Sequence, residues 1–345
     1  MRLLIFTQTV DRTDPALGFF HRWIEELAPH FEHLIVVCLK EGNHALPPNV
    51  EVLSLGKEQG VPRFAKIFRF YRYTFGRRSA YDAVFVHMNQ EYVLMGGWFW
   101  KLMGKKIYLW RNHYSGSVLT GIAAAFCTKV FCTSKFSYTA RYKKTVIMPV
   151  GVDLESAHME IPVERLPRSI LFLARLDESK RPDLLIEALG ALAKQGITFS
   201  ATIAGGPTDP KSAYPERLRA QAKKEGIGER VAFTGAIPNT ETFRQYRSHE
   251  VFLNLSRSGM LDKTMFKAAA CGCVVVTASR DFAAMLGDDR FIFPEDDVQI
   301  LCERIKAALA LPDGERTAVV TREQVMLREQ SLPALAERLA QEIQA

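Results

Sequence analysis

The sequence predicts an α/β protein made of two successive doubly wound parallel-sheet domains. Three observations predict it. Short apolar runs alternate with helical patterns along the chain, the signature of parallel α/β architecture. A segment rich in proline and charge, Pro149–Pro167, interrupts that rhythm, and the alternation then restarts and runs almost to the C-terminus. Two Rossmann-type units of this kind are expected to face each other across a cleft, with their strand ends turned toward it.

In the first half the predicted strands are Leu3–Thr7, Leu34–Leu39, Val50–Leu55, Ala83–His87, Ile107–Trp110, Val130–Thr133 and Val146–Met148. Helical spacing of apolar residues predicts helices over Phe19–Leu27, Phe64–Phe75, Tyr92–Met103 and Val118–Phe126. After the break the strands are Ile170–Ala174, Ser200–Ala204, Val231–Thr234, Val251–Leu255, Val274–Thr277 and Phe291–Phe293, each with a helix after it. The last segments, Gln299–Leu311, Arg316–Arg328 and Leu332–Ile343, read as helices. The domain boundaries that follow are 1–150, a linker over 151–168, a second domain over 169–325 and a closing helical segment over 326–345.

The chain has 345 residues, 48% hydrophobic and 24% charged, which is enough for two soluble domains with full cores. Its net charge of +7 favours anionic partners: nucleotide phosphates, acidic membrane surfaces or nucleic acid. No nucleic-acid module accompanies the charge, so no nucleic-acid role is expected. There is no uninterrupted apolar run of about 18 residues, and the chain enters directly as a strand, RLLIFTQTV; neither a spanning helix nor a signal peptide is expected. Cys38, Cys127, Cys132, Cys271, Cys273 and Cys302 are scattered and lack zinc spacing, so they read as buried thiols in a reducing cytoplasm, with no metal site.

The most informative stretch is Ile170–Leu189, ILFLARLDESKRPDLLIEAL. An apolar strand runs into a turn holding Arg175 and Lys180 and then into an amphipathic helix. Two cations beside a helix N-terminus make a site for a diphosphate, although an isolated pair also reads as ordinary solvated charge. A second strand followed by Gly205-Gly206 and a Gly-containing loop and helix over Ser258–Gly272 favour the phosphate reading.

The order of these motifs resembles the retaining GT-B glycosyltransferases of family 4 over nearly the whole chain. The carrying residues are Arg175 and Lys180 in ARLDESKRPDLLIEAL, Gly205 and Gly206 in ATIAGGP, FTGAIP at Phe233–Pro238 and KAAACGCVVV at Lys267–Val276. PVGVD at Pro149–Asp153 is similar to the family's interdomain junction, and Arg322–Leu339 is similar to its closing helices, the last of which crosses back to the first domain. The resemblance implies a GT-B-like fold with the acceptor on the N-terminal side and the nucleotide sugar on the C-terminal side. It implies that Arg175 and Lys180 neutralise the donor's diphosphate, with Gly205 and Gly206 nearby, and that Gly235, Ala236 and Ile237 hold the base through their backbone. Charge developing on a leaving phosphate is stabilised by prepositioned cations without a bound metal, so the role is physically sound by itself.

The chain departs from the family at Ser256–Gly272. Two glutamates eight positions apart are usual there, and the matching positions are Gly259 and Lys267. A carboxylate accepts hydrogen bonds from ribose hydroxyls, whereas an ammonium only donates. Three readings remain open: a variant transferase using Ser258, Gly259, Met260, Leu261, Asp262 and Lys263 around the phosphate, with Lys267 beside the nucleotide; a donor needing no ribose clamp; or a non-catalytic relative. In the first reading backbone amides of the loop bind phosphate, and Asp262 and Lys263 supply polar contacts.

In the first domain the loop Thr9–Gly18 lies where the family's donor-contacting loop lies, but offers only Gly18 in place of a Gly-Gly pair, with Asp11, Arg12 and Asp14 as side-chain substitutes. His113, in WRNHY, matches a histidine that the family places against the donor sugar; it also reads as a surface histidine. His87, Asn89 and Glu91 follow a strand end and are acceptor-side candidates. The helix over Pro62–Arg78 carries Phe64, Phe68, Tyr71 and Phe75 among Arg63, Lys66, Arg69, Arg72, Arg77 and Arg78 with no acid. That pattern fits an anionic membrane surface, and equally a core-facing aromatic stripe with solvated arginines.

These readings combine into one expectation. The chain is a cytoplasmic glycosyltransferase, peripheral at the inner face of the plasma membrane, moving a sugar from a nucleoside diphosphate sugar to a polysaccharide or lipid-linked acceptor. Retention and metal independence follow from the resemblance, and no cofactor is expected beyond the donor as co-substrate. The alternative is a non-catalytic GT-B binding or assembly subunit; an epimerase or hydrolase on the same fold is a third class.

Overall fold

A computed structural model describes residues 1–14, 17–158, 162–259 and 261–345. Its elements run in chain order as β1 (Arg2–Val10), α1 (Phe19–Leu27), β2 (His33–Glu41), β3 (Val50–Ser54), α2 (Arg63–Gly76), β4 (Ala83–His87), α3 (Gln90–Leu102), β5 (Lys106–Trp110), α4 (Val118–Phe126), β6 (Lys129–Cys132) and β7 (Thr145–Ile147). There follow α5 (Glu155–His158), β8 (Ser169–Leu173), α6 (Pro182–Lys194), β9 (Ser200–Ala204), α7 (Tyr214–Lys224), β10 (Val231–Gly235), α8 (Asn239–Ser248) and β11 (Val251–Asn254). The chain ends with α9 (Lys263–Ala270), β12 (Val274–Thr277), α10 (Arg280–Leu286), α11 (Val298–Leu309), α12 (Asp313–Glu329) and α13 (Leu332–Gln344). Two compact units result: Met1–Gly151 together with Leu332–Ala345, and Val152–Ser331.

The first unit is a seven-stranded parallel sheet in the order β3-β2-β1-β4-β5-β6-β7. Its strands are apolar on both faces because both are covered. Leu3 and Ile5 of β1 join the core under α1 and α13, while Leu4 and Phe6 join the core under α2, α3 and α4. The closing helix α13 packs Leu332, Leu335, Ala336 and Leu339 against Trp23 and Leu27 of α1. It is tied further by the Tyr108 hydroxyl donating to the Ile343 carbonyl at 2.9 Å and by a Lys129–Glu342 ion pair at 2.8 Å.

The second unit is a five-stranded parallel sheet in the order β10-β9-β8-β11-β12. Residues 152–168 count with this unit: Val152 bridges Ser331, and Arg165 donates to the carbonyls of Gly272 and Cys271. The run Phe291–Phe293, read as a strand, makes a single bridge from Ile292 to Thr277. Phe291 and Phe293 are buried, so their apolarity serves the core rather than a ladder. All six cysteines are buried free thiols. No helix among the described residues is long and apolar enough to cross a membrane.

The edge of β12 is covered in an unusual way. Glu323 of α12 is fully buried, and its Oε1 accepts the Val275 N–H at 3.1 Å while Oε2 has no hydrogen-bond partner. Burial pushes this carboxyl up to about 8, against the pull of the Val275 N–H. The fold therefore holds the neutral acid, and its contribution is complete below the unfolded carboxyl range and lost as pH rises through about 8. Glu323→Gln keeps the acceptor and removes the titration. It should flatten the loss of stability between acid and mildly alkaline pH by an amount on the order of 3 kcal/mol, read from denaturant midpoints across pH. Parallel curves for the two proteins would show that Glu323 ionises freely.

Candidate functional site

In a doubly wound sheet, ligands bind outside the strand carboxyl ends where the strand order reverses. In the second unit that point lies between β8 and β11. The turn after β8 carries Arg175 and Lys180, and the segment after β11 carries Ser256 through Asp262. The two segments meet: the Lys180 ammonium donates to Asp262 Oδ2 at 2.7 Å and to Ser256 Oγ at 3.0 Å. Lys180 and Asp262 side chains are 14% and 17% exposed, so the pair is largely desolvated and yet reachable from one side. Burial pushes the Asp262 carboxyl up, but Lys180 and the Thr264 hydrogen bonds outweigh it and hold the group below its ordinary value. Asp262 also caps α9, its Oδ1 accepting the Thr264 N–H at 3.1 Å.

The neighbouring strand ends are laced together through backbone. Ala174 N–H donates to Ala204 O at 3.1 Å, Leu176 N–H to Gly206 O at 2.9 Å and Gly205 N–H to Gly235 O at 2.8 Å. Arg175, Gly205, Gly206, Gly235 and Ala236 are thereby gathered at one edge. Gly205 has φ +141°, and a Cβ there would lie 1.8 Å from the Ala174 carbonyl oxygen, which explains the glycine. A Cβ on Gly206 would lie 3.2 Å from that of Ala236. Arg175 is exposed, with Nη1 3.4 Å from Thr208 Oγ1 and 3.7 Å from Asp177 Oδ2. Ile237 is half-buried beside Ala236.

The loop amides differ from expectation. Ser258 N–H donates to Glu295 Oε1 at 3.0 Å and Gly259 N–H to Asp281 Oδ2 at 3.2 Å, so carboxylates of this chain occupy the amides expected to meet phosphate. Gly259 has φ +92°, a conformation a glutamate would adopt only under strain. Leu261 is buried, and Met260 lies outside the described residues.

Lys263 and Lys267 lie one turn apart on α9. Burial, reinforced by Lys267 and opposed by Asp153, pushes the Lys263 ammonium down to about 7. Lys267 stands 5.3 Å from the centre of the Phe243 ring, and burial lowers its proton affinity too, against Asp153 and Asp262. Lys267 is thus a half-buried cation packed on an aromatic face.

Sequence reasoning missed Arg181, Asp281, Glu295 and Asp296. Arg181 sits at φ +56°, buried between the turn of Lys180 and α6, and pairs with Asp296. A non-glycine residue held in the left-handed region marks a constrained turn, but nothing in the local sequence signals it.

In the first unit the strand order reverses between β1 and β4, so the loops after those strands hold the candidates. Gly18 caps α1, with its N–H donating to Asp14 O at 2.9 Å; a Cβ there would lie 2.6 Å from that oxygen. Asp11 braces this loop, its Oδ1 accepting the Thr13 N–H at 2.9 Å and hydroxyl at 2.6 Å. His87 is a correction: it is 2% exposed, stacked on Phe20 at 4.0 Å between centres, and belongs to the core. Asn89 is half-buried at the start of α3, and Glu91 is exposed on its first turn. His113 is half-buried, with Nδ1 accepting the Ser115 N–H at 3.0 Å, which leaves its neutral-form proton on Nε2.

The aromatic stripe of α2 is likewise not a core stripe. Phe70 and Thr74 are the buried positions, whereas Phe64 and Phe68 are 76% and 68% exposed. Tyr71 and Phe75 pack sideways on α3, Phe75 lying 3.8 Å from Phe99 between ring centres.

Two parallel Rossmann-type sheets with this pair of switch points define the GT-B fold. Residues 167–310, within the second unit, match the family described as Glycosyl transferases group 1. A D-inositol 3-phosphate glycosyltransferase of Acidothermus cellulolyticus is 34% identical over 113 residues, covering 32% of this chain and 25% of that protein. The chain spans under half the length of the curated relatives it matches. Among solved structures, Anabaena Alr3699/HepE in complex with UDP superposes with a TM-score of 0.77 at 16% identity over 100% of both chains. The same protein in complex with UDP-glucose gives 0.74 at 17% identity, covering 100% of this chain and 99% of that one. WaaG, a glycosyltransferase involved in lipopolysaccharide biosynthesis, gives 0.68 at 16% identity over 99% of both chains.

Proposed function

We propose that this chain is a glycosyltransferase that moves a sugar from a nucleoside diphosphate sugar to a polysaccharide or lipid-linked acceptor. The observation that carries the reading is the meeting of Lys180 with Ser256 and Asp262 at the switch point of the second sheet, beside the laced turns of Arg175, Gly205–Gly206 and Gly235. The match of residues 167–310 supports it. UDP sugars are the first donors to test, because the Anabaena protein of the same fold binds UDP and UDP-glucose.

In this reading Arg175 and Lys180 meet the charge that grows on the β-phosphate as the sugar–oxygen bond breaks, and the reaction needs no metal or other cofactor. The leaving phosphate takes the proton of the incoming hydroxyl on the face it departs from, so the anomeric configuration is retained. The enzyme works in the cytoplasm at an anionic membrane surface, reached through residues 62–78, where α2 carries no acidic side chain. His113, with its proton on Nε2, is proposed as a donor to a sugar hydroxyl.

A second reading, a non-catalytic binding or assembly subunit, is favoured by two observations. The amides of Ser258 and Gly259 are already taken by Glu295 and Asp281, and Lys267 stands where a ribose-binding carboxylate is usual.

Calorimetric titration with UDP, GDP, ADP, CMP and dTDP, and their common sugars, separates the readings. One nucleoside diphosphate should bind, with affinity reduced at least about tenfold in Arg175→Ala, and its sugar should turn over with added acceptor. Binding without transfer or sugar release would establish the subunit reading. No binding by any of them would overturn both the donor and the phosphate assignment.

A further inference from the structure

The exposed apolar residues of the first unit lie mainly on three helices. On α2 they are Phe64, Ile67 and Phe68, at helical spacing i, i+3, i+4. On α3, Leu102 is 79% exposed, one turn after Trp98; on α4, Val118 is 80% exposed, followed by Leu119 and Ile122. These helices lie side by side on one face of the sheet, α2 against α3 through Phe75 and Phe99, and α3 against α4 where Gly97 admits Phe126. A groove between α3 and α4 is lined by Trp98, Leu102, Ile122, Ala125 and Phe126, together with Lys101. Apolar side chains at this exposure on three adjacent elements form a surface that water solvates poorly.

The charges on these three helices are cationic but for one. Arg63, Lys66, Arg69 and Arg72 lie on α2 and Lys101 on α3; α2 and α4 carry no acid, and Glu91 is the only one on α3. A second copy of this chain meeting the face across a two-fold axis would set these cations against themselves. An anionic bilayer instead offers hydrocarbon to the apolar side chains and phosphate to the cations around them.

We propose that α2, α3 and α4 form one membrane-docking face. Trp98 and Leu102 of α3 and Val118, Leu119 and Ile122 of α4 enter the acyl region of an anionic lipid bilayer, and the cations of α2 lie on its headgroups. The inference rests on the proposed membrane association and names the surface that performs it: α2 is one edge of the face, and the α3–α4 groove is its centre.

Flotation of the purified full chain with vesicles tests this. The chain should float with phosphatidylcholine–phosphatidylglycerol vesicles, about tenfold less with phosphatidylcholine alone, and be released by salt. Leu102→Asp/Ile122→Asp should lower partitioning about tenfold or more without changing the melting temperature, because both side chains are exposed in the free protein. If that variant floats like the wild type while Phe64→Ser/Phe68→Ser is released, the inference fails and association through 62–78 alone stands. Failure of the wild type to float with anionic vesicles sinks both. A wild-type dimer that Leu102→Asp/Ile122→Asp dissociates would assign the face to a second copy and overturn the proposal.

Discussion

Lys180→Ala is expected to lower kcat/KM for glycosyl transfer about a hundred- to a thousandfold, the range seen when a single prepositioned group facing a developing oxyanion is removed. The argument is geometric. Lys180 Nζ is held by Asp262 at 2.7 Å and Ser256 at 3.0 Å, so the ammonium is fixed at the strand ends before any donor arrives. Such a charge needs no reorganisation during bond cleavage, whereas a solvated lysine does. The alanine variant alone is ambiguous, because it strands the Asp262 carboxylate in a largely desolvated position, at a cost of about 3 kcal/mol or more. Lys180→Met/Asp262→Asn removes both charges and should regain most of that stability without regaining turnover. Arg175 is exposed, and Arg175→Ala should lower turnover with little change in stability. Wild-type turnover in Lys180→Met/Asp262→Asn would refute the phosphate role, since the variant retains neither the cation nor its partner.

Much of the fold was legible because a parallel sheet covered on both faces leaves an unmistakable trace: Leu3, Leu4, Ile5 and Phe6 are all apolar, with alternate members in opposite cores. Phe291–Phe293 shows the limit of that signal, since apolar residues filling the core beside β12 look the same as a strand. Helix α2 shows another. Its aromatic spacing is equally consistent with a core stripe or a surface stripe, and only packing reveals that Phe70 is inside and Phe64 outside. His87 ends a strand, as acceptor-side residues often do, yet Phe20 and Trp23 arrive from α1 to enclose it.

The candidate site divides in the same way. The candidates Arg175, Lys180 and Gly205 could be picked out because each stands in a local pattern: a cation after a strand, or, at Gly205, a turn too tight for a side chain. The partners that occupy the loop at 258–259 could not. Asp281 and Glu295 reach those amides from positions 22 and 37 residues away, and neither stands in a pattern that announces such a contact. Position 259 carries no carboxylate of its own, and the Asp281 carboxylate lies against its amide instead.

Gly205→Ala should produce the largest loss of stability of any single methyl addition at this edge. The Cβ would fall 1.8 Å from the Ala174 carbonyl oxygen, and that oxygen belongs to backbone, not to a flexible side chain that could swing aside. The φ of +141° adds a second penalty, because an L side chain rarely adopts it. Relief requires β8 and β9 to part where Ala174 N–H donates to Ala204 O and Leu176 N–H to Gly206 O. A cost of about 3 kcal/mol or more follows, read as a shift in the denaturant midpoint. Gly235→Ala is the matched comparison: its φ is +72°, and nothing lies within 4 Å of the added methyl, so the cost should be only about 1–2 kcal/mol. Because Arg175 directly follows Ala174, Gly205→Ala should also weaken nucleoside diphosphate binding under conditions where the variant remains folded, while Gly235→Ala should leave the Arg175 turn in place. Equal destabilisation by the two substitutions would mean that β8 and β9 are not locked at this point, and that Gly205 is present for conformational freedom alone.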